Sequence, residues 1–246
     1  MPVVVVKGGA TVGGKRAAAS HTGSLASDDR IFDGMARQAG LVRAAEIEAA
    51  VEAAATFATQ PLPRGNRVVV LSTAGGWGVV AADALTAHRD LDLISLPADL
   101  TTAIDGFLPH RWSPNNPVDL AGGETRDTIP DVLEVTIAHP EVDAVLQLGL
   151  GIQGNTAALT RSGPFYPDHG LERIVDFHER QERRYAEAAD LATRKHHKPV
   201  LVASELAVTR PDNPMVRAIR ESGRMCYPSA DRAVVALGHL VRYSLW

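Results

Sequence analysis

Short runs of β-branched residues alternate along the chain with alanine-rich stretches whose apolar residues recur every three or four positions. The first pattern is typical of strands and the second of amphipathic helices. The predicted strands are residues 3–7, 67–72, 93–96, 144–149, 199–204 and 225–227. The predicted helices are residues 27–39, 44–59, 78–87, 98–107, 128–138, 171–194, 214–221 and 229–243. This alternation predicts an α/β fold with a mostly parallel sheet.

Residues 60–66, Gln-Pro-Leu-Pro-Arg-Gly-Asn, interrupt the pattern before a new strand. Two prolines and a glycine favour a loop, so we predict two units, residues 1–64 and 65–246. The second unit has enough alternating elements for a complete flavodoxin-like sheet. The first has one predicted strand and two helices, and one strand has no partner within a sheet. We therefore expect the first unit to be part of a larger domain or to pack onto another chain.

Composition narrows the class of protein. The 246 residues are 45% hydrophobic and 22% charged, with a net charge of −4, which suits a soluble globular core and does not favour a nucleic-acid partner. Cys226 is the only cysteine, so an intramolecular disulfide and a cysteine-rich zinc site are excluded. The apolar runs are too short for a membrane span, and a signal-peptide pattern is missing. We predict a cytoplasmic protein that binds no metal through this chain.

The first candidate site is the segment of residues 7–24, where four glycines precede Ser20-His21-Thr22-Gly23. We predict a glycine-rich loop ahead of a helix. The segment does not match the P-loop pattern, because Arg16 follows Lys15 where Ser or Thr is required. An imidazole is a competent nucleophile for a phosphoryl group. On the local sequence alone, a histidine without a chemical role is the simpler interpretation.

The second candidate is a glycine-rich turn, Gly75-Gly76-Trp77-Gly78, between a buried strand and an alanine-rich helix. Such a turn presents backbone N–H groups and the positive end of a helix dipole to an anion. The pattern departs from the dinucleotide fingerprint, since Ala81 stands where its third glycine would be. An ordinary strand-to-helix turn is the alternative.

Two further segments are polar. Asn116 precedes a proline and Asp119 precedes a short glycine loop, a pattern that favours a structural role in orienting a neighbouring loop or capping a helix. Residues 179–184, Glu-Arg-Gln-Glu-Arg-Arg, predict an exposed charged face of a helix.

Five segments taken in order resemble one known family. They are Ala19-Ser-His-Thr-Gly-Ser-Leu-Ala26, the linker of residues 60–66, Ala74-Gly-Gly-Trp-Gly78, Asn116-Pro-Val-Asp-Leu120 and Lys198-Pro-Val-Leu-Val202. In order and spacing they resemble the ADP-forming (NDP-forming) acyl-CoA synthetases, relatives of succinyl-CoA synthetase. The resemblance covers almost the whole chain and implies the carboxy-terminal portion of such an enzyme. It implies a flavodoxin-like CoA-ligase domain preceded by a partial second one.

The resemblance also implies a reaction. Acid, CoA and ATP are converted reversibly to acyl-CoA, ADP and phosphate, with a histidine that is transiently phosphorylated. His21 stands at that position. Thr22, Gly23 and Gly75, Gly76, Trp77 and Gly78 would bind the phosphoryl group, supported by Ser20, Asn116 and Asp119.

The same resemblance implies partners. CoA, ATP or ADP, and Mg²⁺ would be bound by CoA-binding and nucleotide-grasp domains outside these residues, so the chain is expected to be inactive alone and to form an oligomer. Trp77 departs from the proline common in the family, and residues 152–194 are longer than the usual connection. A regulatory module of a protein acetyltransferase and a non-catalytic interaction subunit stay open as alternatives. The acyl group and the choice between ADP and GDP are not predicted.

Overall fold

The computed structural model describes the backbone of residues 1–22, 28–120 and 127–246, and side chains from residue 1 to residue 20 in the first of these ranges. The strands are β1 (Val3–Val6), β2 (Leu41–Ala44), β3 (Arg67–Ser72), β4 (Asp92–Leu93), β5 (Val118–Asp119), β6 (Ala144–Leu148), β7 (Val200–Ala203) and β8 (Cys226–Tyr227). The helices are α1 (Val12–Thr22), α2 (Asp29–Gln38), α3 (Ile47–Thr59), α4 (Gly75–Ala87), α5 (Ala98–Asp105), α6 (Thr128–Ala138), α7 (Ile152–Arg161), α8 (Leu171–His196), α9 (Leu206–Thr209), α10 (Pro214–Glu221) and α11 (Ala230–Leu245).

The described strands form two parallel sheets. β1 pairs with β2, while the larger sheet has the order β4-β3-β6-β7-β8, with β5 added to the end of β3. Leaving the short β5 aside, this is the 2-1-3-4-5 order of flavodoxin-like folds. Helices α4 and α11 pack on one face of the larger sheet, and α5, α6, α8 and α10 pack on the other. The predicted fold class, α/β with parallel flavodoxin-like sheets, is confirmed.

The apolar strand β3 shows why the strands of the larger sheet can be predicted from the sequence. Val68 and Val70 pack toward α4 and α11, whereas Val69 and Leu71 pack toward α5 and α6, and all four are fully buried. A strand covered on both faces needs apolar side chains at every position. The continuous apolar run therefore follows from the two helical layers.

The glycine-rich segment before His21 is where the prediction of a loop was wrong. Residues Val12–Thr22 form α1. The Thr11 hydroxyl accepts a hydrogen bond from the Gly14 N–H at 3.1 Å, which caps the start of this helix. The run Lys15-Arg-Ala-Ala-Ala19 has high helix propensity and outweighs the two glycines of the first turn.

The prediction that the first unit has a single strand was also wrong. β2 pairs in parallel with β1, so that Val3 lies opposite Leu41 and Val6 opposite Ala44. The strand has four residues and contains Arg43, so its apolar pattern is weak; Arg43 is held by an ion pair with Asp29 at 2.7 Å. As a result α3 begins at Ile47, three residues later than predicted.

Residues 152–194 contain two helices, where the sequence predicted one. α7 occupies Ile152–Arg161, and α8 extends from Leu171 to His196. The two helices pack against each other, which explains the length of this segment. Gly40 and Gly223 adopt positive φ angles of 65° and 81° directly after α2 and α10, a position where glycine avoids the strain of a side chain.

The two sheets are joined by contacts of α3 with α11 and β8. The Thr56 hydroxyl lies 2.5 Å from the Tyr227 hydroxyl, and both side chains are fully buried. Arg232 of α11 forms an ion pair with the buried Glu52 of α3 at 2.7 Å. The predicted unit boundary near residue 64 falls between α3 and β3 and stays a prediction.

We predict that Tyr227→Phe lowers the free energy of unfolding by about 1 kcal/mol, because it removes a buried hydrogen bond between the two sheets while keeping the ring. Urea unfolding would measure the change. Tyr243→Phe, which removes the hydroxyl of a half-buried tyrosine, is the matched control and should cost less. Equal losses in the free energy of unfolding for the two substitutions would contradict the view that this hydrogen bond stabilises the contact between the sheets.

Candidate functional site

The carboxyl ends of β3 and β6 form the topological switch point of the larger sheet. The chain leaves β3 for α4 on one face, and it leaves β6 through α7 for α8 on the other. In open α/β sheets, ligands bind outside the carboxyl ends of the strands at such a point. The starts of α4 and α7 are therefore the positions to compare.

Helix α4 begins with the glycines that the sequence placed in a turn. Its N-cap residue is Ala74, whose methyl side chain cannot accept a hydrogen bond, and the Ala74 carbonyl accepts from the N–H groups of Trp77 at 3.0 Å and Gly78 at 3.3 Å. The amides of Gly75 and Gly76 precede these two and have no acceptor within the helix, and the helix dipole adds positive potential there. This helix start is suited to an anion from outside. The prediction that the helix begins at Gly78 was three residues late.

Asn116 fixes the segment beside this helix start. Its side-chain amide accepts from the Val70 N–H and donates to the carbonyls of Val68 and Ile94, each at 2.9 Å. The amide thereby bonds the middle of β3 to the residue that follows β4. The following strand, β5, is held in place by this anchor and pairs with Leu71 and Ser72.

Asp119 and Pro117 are brought against the first turn of α4. A methyl group on Gly75 would lie 2.6 Å from the Asp119 carboxylate, and one on Gly78 would lie 3.1 Å from Cβ of Pro117. A methyl group on Gly76 would meet no atom within 4 Å. Gly75 and Gly78 thus lie in close contact with Asp119 and Pro117, so the glycine-rich turn and the segment of residues 116–119 lie side by side.

The first backbone N–H groups of α7 find their hydrogen-bond acceptor within the protein. The Glu182 carboxylate accepts from the N–H groups of Gly151 and Gln153, both at 2.8 Å, and from Gly154 at 3.4 Å. Glu182 is only 2% exposed, so the prediction that it lies on an exposed helix face was wrong. Burial raises the pKa of this carboxyl above its ordinary value, and the three backbone hydrogen bonds offset part of that rise.

The two helix starts are tied together by Thr73. Its hydroxyl donates to the Gly149 carbonyl at 2.6 Å, and its N–H donates to Leu148 at 3.3 Å. Sequence reasoning missed Thr73 and Glu182. A threonine after a strand and a glutamate within a charged helix carry no distinctive sequence signal, since their roles depend on the crossing of separate elements.

A cleft of about 320 Å³ lies beside the start of α4, at the carboxyl ends of β6, β7 and β8. Trp77 and Val80 of α4 form one wall, and Leu148, Ala203 and Pro228 contribute further apolar surface. Glu205 and Asp231 add carboxylates to its lining. An anion held at the first turn of α4 would therefore have a mainly apolar space next to it.

The position of His21 is described for its backbone alone. It is the penultimate residue of α1, and the preceding Ser20 is exposed and donates its hydroxyl to the Ala17 carbonyl at 2.8 Å. The side chains of His21 and Thr22 and the whole of Gly23 lie outside the described residues. Their predicted roles stay predictions.

The described residues also bear on metal and membrane binding. Within them, no group of three or more His, Cys, Asp and Glu residues has a geometry that could hold a metal ion. The helices of that part of the chain do not include one with the length and apolar composition needed to cross a bilayer.

Comparison with known families gives two matches along the chain. Residues 1–57 match the family model described as the succinyl-CoA ligase like flavodoxin domain. Residues 68–154 match the model of the Ligase-CoA domain.

Similar curated proteins and solved structures point the same way. The chain is 30% identical over 250 residues to ADP-forming acetate–CoA ligase I subunit alpha of Pyrococcus furiosus, matching 100% of the chain and 47% of that protein. It is 29% identical to the ADP-forming 4-hydroxybutyrate–CoA ligase of Nitrosopumilus maritimus, over 100% of the chain and 31% of that protein.

Among solved structures, the dinucleotide forming acetyl-coenzyme A synthetase 1 of Ca. Korarchaeum cryptofilum, in complex with phosphate and ADP, superposes with a TM-score of 0.74 at 26% identity. That match covers 99% of the chain and 47% of the solved one. The chain thus spans half or less of the length of these proteins.

We predict different effects for two adjacent glycines of α4. Gly75→Ala should be less stable than Gly76→Ala, since the new methyl group would lie 2.6 Å from the Asp119 carboxylate and would force that carboxylate to move. Gly76→Ala meets open space and should be neutral or stabilising by up to about 1 kcal/mol. Urea unfolding of both variants would test the contact, and a Gly75→Ala protein as stable as Gly76→Ala would refute it.

A second prediction concerns pH. A carboxyl with a raised folded-state pKa holds its proton more tightly when folded, so its contribution to stability is present below the ordinary value of 4.5 and is lost as pH rises through the folded pKa. The stability of the wild type relative to Glu182→Gln should therefore decrease from pH 4 upward. Unfolding curves at several pH values would measure this, with Glu172→Gln controlling for the loss of an exposed charge on α8. A relative stability that increases with pH would contradict the burial argument.

Proposed function

The chain belongs to the family of ADP-forming acyl-CoA synthetases related to succinyl-CoA ligase, and we propose that it is the phosphohistidine-relay portion of such an enzyme. In this proposal His21 carries the phosphoryl group. Because the chain spans about half the length of its curated relatives or less, the complete reaction would require further domains or subunits. The name "subunit alpha" of one relative is consistent with such an assembly.

The start of α4 is the observation that carries this proposal. It combines a first turn with amides available to an anion, glycines at Gly75, Gly76 and Gly78, and a position at the switch point of the sheet. A phosphoryl group on histidine is a dianion at neutral pH, and a helix N-terminus stabilises such a charge without a bound cation. Glu182 occupies the neighbouring helix start, so the α4 end is the one suited to an external phosphate.

The chemistry at His21 would run in two transfers. In the first, an imidazole nitrogen attacks the phosphorus of an acyl phosphate, the bond from phosphorus to the acyl oxygen breaks, and the acid leaves as a carboxylate. In the second, a terminal oxygen of ADP attacks the same phosphorus, the P–N bond breaks, and ATP and free histidine are formed. Both transfers spread charge over the phosphoryl oxygens, which the amides of the first α4 turn would stabilise.

The other proposed residues act by position. Asn116 anchors the segment that carries Asp119, and Asp119 lies against Gly75, so both would set the shape of the phosphate site. Trp77 would separate the phosphate from the apolar cleft beside α4. CoA, the nucleotide and its Mg²⁺ would be bound by CoA-binding and nucleotide-grasp partners, and the acyl phosphate would be formed there from acyl-CoA and phosphate.

We predict that His21→Ala abolishes phosphoryl labelling of the chain, because no other group replaces the imidazole as acceptor. The chain would be combined with separately produced CoA-binding and nucleotide-grasp domains, together with an acyl-CoA and radiolabelled phosphate. Acid-labile, base-stable label on the chain would be counted. His110→Ala removes an exposed histidine elsewhere and should keep the label.

Labelling of His21→Ala at the wild-type stoichiometry would overturn the proposed relay. A neighbouring gene for an acetyltransferase in place of a nucleotide-grasp partner would favour the regulatory alternative. The labelling result tests the role of His21, and the neighbouring gene tests the kind of enzyme to which the chain belongs.

A further inference from the structure

A second cleft lies on the opposite face of the larger sheet from α4. Helices α7, α8 and the start of α10 enclose a volume of about 430 Å³. Ligand pockets in proteins typically measure about 300–1,000 Å³, so the space is large enough for a small organic molecule. The packing of α8 and α10 on one face and α4 on the other separates it from the proposed phosphoryl site.

Five arginines line this cleft against three acidic residues, within a chain whose net charge is −4. The arginines are Arg161, Arg180, Arg183, Arg210 and Arg217. Because a guanidinium is charged at every pH relevant to a folded protein, this positive excess does not depend on conditions. The cleft is therefore a local region of positive charge on an acidic molecule.

Four of the five arginines form ion pairs, and the fifth is Arg180. Arg161 pairs with Glu179 at 2.7 Å, and Arg210 pairs with Asp212 at 3.5 Å. Arg183 and Arg217 share one carboxylate, that of Glu221, at 2.7 and 3.6 Å. Arg180 is exposed and forms no ion pair with any carboxylate of the described residues. Arg180 and Arg217 thus have guanidinium N–H groups available to a ligand.

The floor of the cleft is rigid. Asn213 is 3% exposed, donates to the Gly151 carbonyl at 2.9 Å and accepts from the Met215 N–H at 3.0 Å. A methyl group on Gly154 would lie 2.7 Å from the Asn213 amide nitrogen and 3.0 Å from Pro214, so glycine is needed for α7 and α10 to approach. A floor fixed in this way lowers the entropic cost of binding a ligand.

We propose that this cleft is an additional site, separate from the CoA and nucleotide sites of the partner domains, for a ligand that carries a diphosphate group attached to a hydroxylated organic part, the chemistry that ADP and CoA share. A guanidinium can donate two parallel hydrogen bonds to two oxygens of one phosphate. Because the arginines of the cleft come from α7, α8, α10 and the segment that leads into α10, they could contact more than one phosphate group. The lining carboxylates of Asp176 and Asp212 oppose a bare anion but accept hydrogen bonds from hydroxyl groups. The proposal does not depend on the relay at His21.

Isothermal titration calorimetry of the complete chain tests the proposal with ADP, CoA and inorganic pyrophosphate in separate titrations. ADP, CoA or both should bind with one-to-one stoichiometry, and more tightly than pyrophosphate. Arg180→Gln and Arg217→Gln should each weaken binding about tenfold, the effect of one charge-assisted hydrogen bond. Thermal unfolding would show that each variant is folded.

Arg194→Gln is the matched control, since Arg194 is an exposed arginine near the other end of α8 and pairs with Asp190. It should leave the affinity unchanged within about twofold, as surface ion pairs contribute little. Absence of binding by both ADP and CoA at about 1 mM, the weakest range for a specific site, would overturn the proposal. Binding that Arg180→Gln and Arg217→Gln leave unchanged would also overturn it, because the ligand would then lie elsewhere. Pyrophosphate binding as tightly as the organic ligands would refute the role of the hydroxylated part.

Discussion

The side-chain amide of Asn116 supplies β3 with the hydrogen bonds that a neighbouring strand would otherwise provide. β4 is two residues long, so the middle of β3 extends beyond its partner, and buried backbone groups left without hydrogen bonds are costly. The amide satisfies Val68 and Val70 and holds the carbonyl of Ile94 in the same network. The course of the chain through β5, and with it the wall of the proposed phosphate site, depends on these three bonds.

Two adjacent strands of the sheet lead to helix starts with opposite electrostatic arrangements. α7 has an internal counter-charge, because Glu182 is buried against its first amides. α4 begins on an alanine, which cannot cap it, and on glycines, and the Asp119 carboxylate lies beside Gly75. The difference lies in the side chains that each helix meets, since the backbone dipole is the same in both. This difference is why we propose the start of α4, and not the start of α7, as the phosphate site.

Most of the larger sheet was predictable because its central strands are apolar on both faces and its helices have clear ends, whereas the two-residue strand β5 was not predicted. The predicted bounds of β3, α6 and α10 agree with the structure to the residue. Short polar strands were not predictable: β2 contains Arg43, whose charge is satisfied by Asp29 from a separate helix.

For the candidate site, local chemistry indicated the glycines and Asn116, since residue type limits what a turn or a pre-proline position can do. The burial of Glu182 arises from the crossing of α8 over the start of α7, and no pattern within α8 encodes that crossing. The role of His21 comes from the family resemblance, because a histidine in a polar segment has many uses.

The buried contact of Thr56 with Tyr227 and the ion pair of Glu52 with Arg232 have a mechanical consequence. They fasten α3 to β8 and α11 on the inside of the molecule, where a hinge would otherwise allow the small sheet to swing against the large one. The two sheets are expected to move together as one rigid body. If His21 carries a phosphoryl group between partner domains, as proposed, the movement would have to come from the partners or from the two sheets together, with little bending between the sheets.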